Sequence, residues 1–441
     1  MICCIFFPKD ELKEIAKLNG FIQRESAIDG FNFLLTFTTG LMNTTDSTLA
    51  QMASFLNNTC HLGVSPQAID KRINPKAKDF LKHCLDKALR LSNKKIDIPN
   101  KLVSLFKHIY IIDSTNFDLH PSLKDIFKGS RGTASDSSMR IQFIYDYLTG
   151  KSYIEIGDNR TADSTTLFNI VKENKLETDG NALFLQDLGY SKRQTFVLMN
   201  DAHNFFISKL KYNVHVFDLS GNKIDLFKIL KKNPQYLNMT IKIDSMECRL
   251  VGSKLPESVI NQRNRKANKD SKKKKGATSK KEYKLFLSYG LFITNLSEHY
   301  SADAIYTIYR LRWQIELVFK SWKSIIGINK IHTARVDRVL CEVYGKLIVA
   351  VILSTLFLRL KYRFQKDFSC YKIFQLVKSI ALKWAICIHE SQRIHAEFID
   401  NLIPQIIRFC KKNKQLNKPT IDVLLSLLQP AEPPNIIGFA A

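Results

Sequence analysis

The chain has 441 residues, 45% of them hydrophobic, which is too long for one ordinary core and enough for about two to four folded domains. Lys and Arg outnumber Asp and Glu by 66 to 41, a formal charge of +25 that exceeds what solubility needs and points to a polyanionic partner, nucleic acid or an acidic membrane surface. The apolar stretch Leu347 to Leu358 falls short of the roughly 20 residues a membrane span requires, and Lys9, Asp10 and Glu11 break any secretory signal at the N-terminus, so no membrane role is expected.

Residues 1–98 read as helical, with apolar residues at helical spacing at Leu12, Ile15 and Ala16 and again at Ile28, Phe31 and Leu35. A short amphipathic helix over Leu49 to Leu56 is followed by a turn at Gly63-Val64. Ser65 can cap a second helix, with Pro66 in its first position and polar Gln67, Asp70, Lys71 and Arg72 on it. That pairing has the form of a helix-turn-helix, although short helical pairs are also common in proteins that read no nucleic acid. Pro99-Asn100 punctuates the chain, and strand patterns follow. Ile109 to Ile112 runs into Asp113, Met139 to Tyr147 alternates, and Tyr153 to Ile156 completes a three-strand meander. A helix near Thr165 to Asn174, the short strand Leu183 to Leu185 ending at Gln186-Asp187, another helix, and the strand Phe205 to Ile207 come next.

From about 212 to 297 strand pieces at Asn238 to Ile243 and Glu247 to Val251 flank a basic stretch from Arg263 to Lys284, expected to be a mobile loop whose cations meet DNA phosphates or only solvent. Tyr283 to Leu296 returns to strand character. Ala302 to Ser324 reads as one long amphipathic helix, and the rest is mostly helical to about 430, ending in a tail with Pro430, Pro433 and Pro434. The nine cysteines form no CxxC pair, which suits free thiols in a reducing compartment and a cytoplasmic protein.

Two aspartates follow apolar strands directly, Asp113 after HIYII and Asp187 after ALFLQ, and a buried strand holds a carboxylate rigidly at a sheet edge. Glu316 lies on the amphipathic helix. Three clustered carboxylates need cations, and oxygen-only ligands suit Mg²⁺ or Mn²⁺. Two such ions can activate a water or a 3′-hydroxyl and stabilise the departing oxygen of a phosphodiester. Asp118, Asp146, Asp158 and Asp163 are rival acids, and an acid at a strand end often serves only to cap a turn. Tyr309, Arg312, Glu316 and Lys323 fall at offsets three, seven and fourteen from the tyrosine, nearly one face of a continuous helix and suited to grip a phosphate. Arg312 and Glu316 could equally be an i,i+4 pair.

The run Tyr309-x2-Arg312-x3-Glu316-x6-Lys323 resembles the Y-R-E-K signature of the IS4 family of bacterial DDE transposases, as do IIDSTNFDLH at 111–120 and LFLQDLGYSK at 183–192. The likeness runs from FFPKDELKEIAKLNGF to about residue 330. It implies an α/β protein with an RNase H-like mixed sheet and flanking helices, interrupted by a β-rich insertion, plus helical N- and C-terminal regions. The expected divisions are a DNA-binding region at 1–98, the catalytic core at 99–211 and 298–330, the insertion at 212–297, and a helical region at 331–441. The resemblance implies Asp113, Asp187 and Glu316 as ligands of two Mg²⁺ ions, Mn²⁺ substituting, with Tyr309, Arg312 and Lys323 on terminal phosphates. Trp313 or Tyr289 would stack on a flipped base, Trp313 being alternatively a core residue. Members often carry a basic residue after the second Asp, where this chain has Leu188. Partners implied are double-stranded DNA, as terminal inverted repeats and target, and a second copy in a homodimer on DNA. Cut-and-paste transposition through hairpin ends, in a nucleoid-associated bacterial protein, completes the expectation. The alternatives are a nuclease of this fold without strand transfer, or a decayed DNA-binding protein.

Overall fold

A computed structural model of the chain describes residues 7–42, 48–93, 105–130, 135–243, 246–275, 280–364 and 366–413. The Pro99-Asn100 break, the proline-containing tail, Cys3 and Cys4 lie outside the described residues. Eight strands form one mixed sheet: β1 (His108–Asp118), β2 (Ser138–Asp146), β3 (Ser152–Asp158), β4 (Ala182–Gln186), β5 (Phe205–Lys209), β6 (Tyr236–Ile243), β7 (Met246–Lys254) and β8 (Tyr289–Thr294). Their order is β3-β2-β1-β4-β5-β8-β7-β6. β1, β4 and β5 run parallel and the other registered neighbours antiparallel, the mixed sheet with flanking helices expected of an RNase H-like core.

The described chain divides into two compact units. One draws on residues up to 93, 113–162 and 314–413, the other on 105–112 and 163–313. In the second unit, His108 to Ile112 pair with Ala182 to Gln186, and Ile109, Ile111, Ile112, Leu183 and Leu185 are fully buried. Such runs, apolar on both faces, are what a covered parallel sheet demands, each side chain contributing about 2 kcal/mol of burial. β8 pairs with β5 through Ile207↔Thr294 and with β7 through Arg249↔Thr294, so β6 and β7 extend the same sheet. Arg249, nearly buried, ties this extension down by donating to the carbonyls of Leu296, Ser297 and Tyr300.

Two expectations fail here. The basic stretch is not a loop: Glu257–Lys275 is a helix and Lys281–Leu287 another, so strand character begins only at Tyr289. No Pro or Gly interrupts 257–275, and Lys, Arg and Gln are good helix formers. The stretch lacks an apolar stripe, and periodicity therefore had no signal to find.

In the first unit, helices span Lys9–Leu18, Gly30–Leu35, Leu49–Cys60, Pro66–Arg72 and Pro75–Ser92. Ser65 caps the fourth as expected, its hydroxyl accepting from the Ala68 N–H. Asp70 on that helix is ion-paired to Arg335, whose guanidinium also donates to the Ile73 carbonyl. A π-helical turn at Thr36–Gly40 follows the second helix, where the hydroxyls of Thr36, Thr38 and Thr39 donate back to carbonyls one turn earlier. It packs against the helix Val336–Phe364, at whose Gly345 a methyl group would meet the Phe37 carbonyl oxygen at 2.0 Å. The apolar run Leu347 to Leu358 belongs to this helix. Val336–Lys361 is long and apolar enough to cross a membrane, but 89% of its apolar window is buried inside the protein.

Candidate active site

Asp113 and Asp187 are each the next residue after the final rung of the β1–β4 ladder, Ile112↔Gln186. They differ from there on. β4 ends at Gln186, and Asp187 opens a 3-10 turn over Leu188–Tyr190. β1 does not end at Asp113 but continues to Asp118. The sequence placed a strand end there because the apolar run stops; the strand persists with a half-exposed pattern, since only its first half is covered on both faces.

In the second unit, three cationic or hydroxyl groups gather on Asp187. Lys209, the last residue of β5, places its Nζ 3.2 Å from Asp187 Oδ1. The Tyr309 hydroxyl lies 3.3 Å from the same oxygen and 3.4 Å from the Gln186 carbonyl. The Arg312 guanidinium sits 5.9 Å from the Tyr309 ring centroid and the Lys209 ammonium 5.5 Å. Burial works to raise the Asp187 pKa, but the charges of Lys209 and Arg312, with the Leu188 N–H, outweigh it and hold the carboxyl below its ordinary range. Burial, helped by the Asp187 charge, pushes the Tyr309 phenol well up, so the phenol is a standing donor. Lys209 is the residue sequence reasoning missed. Its signal was a cation at the C-terminal end of the strand parallel to β4, and it supplies the positive charge that Leu188, which is 37% exposed, does not.

In the first unit, Asp113 accepts from the Ser114 N–H at 2.9 Å, and its carbonyl accepts from the Gln142 amide at 3.0 Å. Glu316 is half-buried on the helix Trp313–Ser321. That helix is seated by Phe319 and Trp322, whose rings lie 6.1 and 4.9 Å from Phe143 on β2. Lys323 donates to the Asn116 carbonyl, three residues beyond Asp113 on β1, at 3.2 Å, and burial lowers its pKa. It occupies a π-helical segment, Trp322–Ile326, closed by left-handed Gly327. Two further lysines unseen in the sequence reading satisfy the carbonyls at this end: Lys378 donates to Ile325, and buried Lys346 to Gly327 and Lys330.

The expected continuous helix over 302–324 is interrupted. Ala302–Arg310 and Trp313–Ser321 are separate helices, and the Leu311 and Arg312 N–H groups bond three residues back, to Ile308 and Tyr309. Tyr309 therefore lies on the first helix, Arg312 at the break, Glu316 on the second helix and Lys323 on the π-helical segment after it. Trp313 at this break is 58% exposed and is therefore not a core residue. Tyr289 is 2% exposed, on a strand buried along its whole length, and has no ring face for a base. Two rival acids are occupied with turns. Asp146 accepts from the Leu148 N–H and the Thr149 hydroxyl, and Asp158 from the N–H groups of Arg160 and Thr161.

The carboxylate oxygens of Asp113, Asp187 and Glu316 are hard donors of the kind Mg²⁺ takes. Among the described residues, however, no three His, Cys, Asp or Glu side chains lie close enough together to hold a metal ion. The donor chemistry of the three carboxylates fits such an ion.

The profile described as the transposase DDE domain matches residues 104–352. The chain belongs to the DDE transposase family. The resemblance to the IS4 family holds along most of the chain. The transposase of insertion sequence IS1151 from Clostridium perfringens is 28% identical over 96% of this chain and 94% of its own, and that of IS231F from Bacillus thuringiensis subsp. israelensis is 26% identical over the same shares. Among solved structures, the piggyBac transposase synaptic complex with hairpin DNA covers 95% of this chain at a TM-score of 0.48 and 11% identity. The protein is thus a DNA transposase, an enzyme that acts on DNA, and its family implies use of a divalent metal.

Proposed function

We propose that this transposase binds the terminal inverted repeats of its element as a homodimer on DNA and transfers the cut ends to target DNA through hairpin intermediates. Asp113, Asp187 and Glu316 are its catalytic carboxylates and would hold two Mg²⁺ ions, Mn²⁺ substituting. The ions, when bound, supply activation of the attacking hydroxyl and neutralisation of the departing oxygen. The observation that carries this reading is the collar on Asp187. Tyr309 and Arg312, the first two signature residues, stand around the second aspartate with Lys209. A carboxylate held ionised by cations is a ready metal ligand, and the same cations can pass to a phosphate once a metal takes their place. The protonated Tyr309 hydroxyl and the Arg312 fork would orient the terminal phosphate, Lys323 would bind it from the π-helical segment, and exposed Trp313 would offer its face to a flipped base.

Residues 1–98 are assigned to DNA binding, 99–211 and 298–330 to catalysis, 212–297 to the insertion, and 331–441 to a supporting helical region. A cytoplasmic, nucleoid-associated location follows from the substrate. The test is cleavage of a labelled duplex carrying the terminal repeat, with Mg²⁺ and then with EDTA. Metal-dependent nicking at the repeat boundary, followed by a hairpin product, is expected. Glu316→Gln should lower cleavage by a thousandfold or more, in the range of about 10³ seen when one essential group is lost, and leave repeat binding intact. Hydrolysis that survives the change removes Glu316 from the site. Cutting without joining of pre-cut ends would make the protein a nuclease of this fold, and binding without any cut a decayed relative.

A further inference from the structure

The helix Glu257–Lys275 separates its side chains by function. Ile260 is buried, and Arg263, Asn264, Ala267, Asn268 and Ser271 are half-buried on the same side. Arg263 fastens that side by donating to the carbonyls of Leu287 and Tyr289, both at 3.2 Å. Asn261, Gln262, Arg265, Lys266, Lys269 and Lys272 are all exposed. At about 100° per residue these six fall within an arc of about 140°, with Asp270 just beyond its border.

Within this arc no aliphatic side chain is exposed, half-buried Val259 lying at its border beside Asp270, so the face lacks the apolar core that a protein partner would bury. Arg265 and Lys269 stand one turn apart and repel, as do Lys269 and Lys272, which weakens the helix until a polyanion relieves them. The remaining side chains are those whose geometry matches base edges. Asn and Gln pair with adenine, Arg pairs with guanine, and lysines act as point charges toward phosphate. An α-helix about 10–12 Å across fits the major groove, about 12 Å wide.

We infer that this helix enters the major groove of duplex DNA, with Asn261, Gln262 and Arg265 reading base edges and Lys266, Lys269 and Lys272 on the flanking phosphates. The inference rests on the terminal-repeat reading above and deepens it, because it assigns sequence specificity to a helix of the insertion.

The experiment measures metal-free binding of the full-length protein to a terminal-repeat duplex and to a scrambled duplex over a range of salt. Asn261→Ala, Gln262→Ala and Arg265→Ala should each reduce the repeat-to-scrambled affinity ratio by about 5- to 100-fold. The triple change Lys266→Ala, Lys269→Ala, Lys272→Ala should weaken both duplexes alike, leave the ratio unchanged and lower the salt slope by about 3. Circular dichroism of the wild type should gain helical signal on adding DNA. Discrimination retained by all three base-face variants overturns the groove assignment alone. A wild-type protein that does not distinguish the two duplexes removes the terminal-repeat reading, and this inference with it.

Discussion

Asp187 shows how single residues set the chemistry. Burial would push its carboxyl toward the neutral form, and Lys209 and then Arg312 reverse the sign. Lys209→Met removes the larger opposing charge and keeps the burial, so the Asp187 carboxyl should titrate at higher pH, read as an upward shift of its carbon resonance midpoint. An unmoved midpoint would mean that the ammonium does not rest on the carboxylate in solution. A second titration acts on stability. His395 is fully buried and accepts through Nε2 from the Trp384 indole at 3.0 Å, a bond only the neutral ring can make; burial lowers its pKa to about 4 from 6.5. Between those values the unfolded chain binds a proton that the folded chain refuses. Stability is therefore complete above pH 6.5 and falls as pH drops toward 4, by up to about 3 kcal/mol. His395→Gln should flatten this part of the urea-denaturation profile, and a profile as steep as the wild type's would assign the acid loss to other groups.

Among the elements, the helix Val336–Phe364 makes a close backbone approach at Gly345 within the first unit. A Gly→Ala change inside a helix ordinarily gains up to about 1 kcal/mol of propensity. At Gly345 the new methyl would meet the Phe37 carbonyl oxygen at 2.0 Å and its carbon at 2.7 Å. Both are backbone atoms that no side-chain rotation can clear, so overpacking wins. Gly345→Ala should lose about 2 kcal/mol or more in chemical denaturation. A stabilised variant would show that the two helices separate easily. The same helix steadies the end of the Glu316 helix, because Lys346 occupies the Gly327 and Lys330 carbonyls from a buried position. A lysine so placed resists protonation, with a pKa lowered by burial to about 8.

At the scale of the molecule, the +25 charge sets how the protein meets DNA. A protein that makes about six to ten phosphate contacts releases their counterions on binding. Affinity for any duplex should therefore fall by about a thousandfold or more between 50 and 200 mM salt. A shallow dependence would leave the excess of lysine without a nucleic-acid role and return it to solubility.

The apolar strand cores and the acids that follow them, Asp113 and Asp187, are legible in the sequence, because an apolar run ending in a carboxylate is a local pattern that burial on both faces imposes. The sequence by itself also determined the family, through four residues at fixed spacing, and the Ser65-Pro66 helix start, a matter of capping chemistry within one turn. Tertiary structure decided the rest. The basic 257–275 segment is helical without the apolar stripe that periodicity requires, anchored instead by buried Ile260 and by Arg263, which donates to the distant Leu287 and Tyr289 carbonyls. The helix over 302–324 breaks at Leu311-Arg312, where no Pro or Gly warns of it, and both residues there are buried. Lys209 reaches Asp187 only because β5 lies parallel to β4, and strand pairing is a long-range choice that no window of sequence contains.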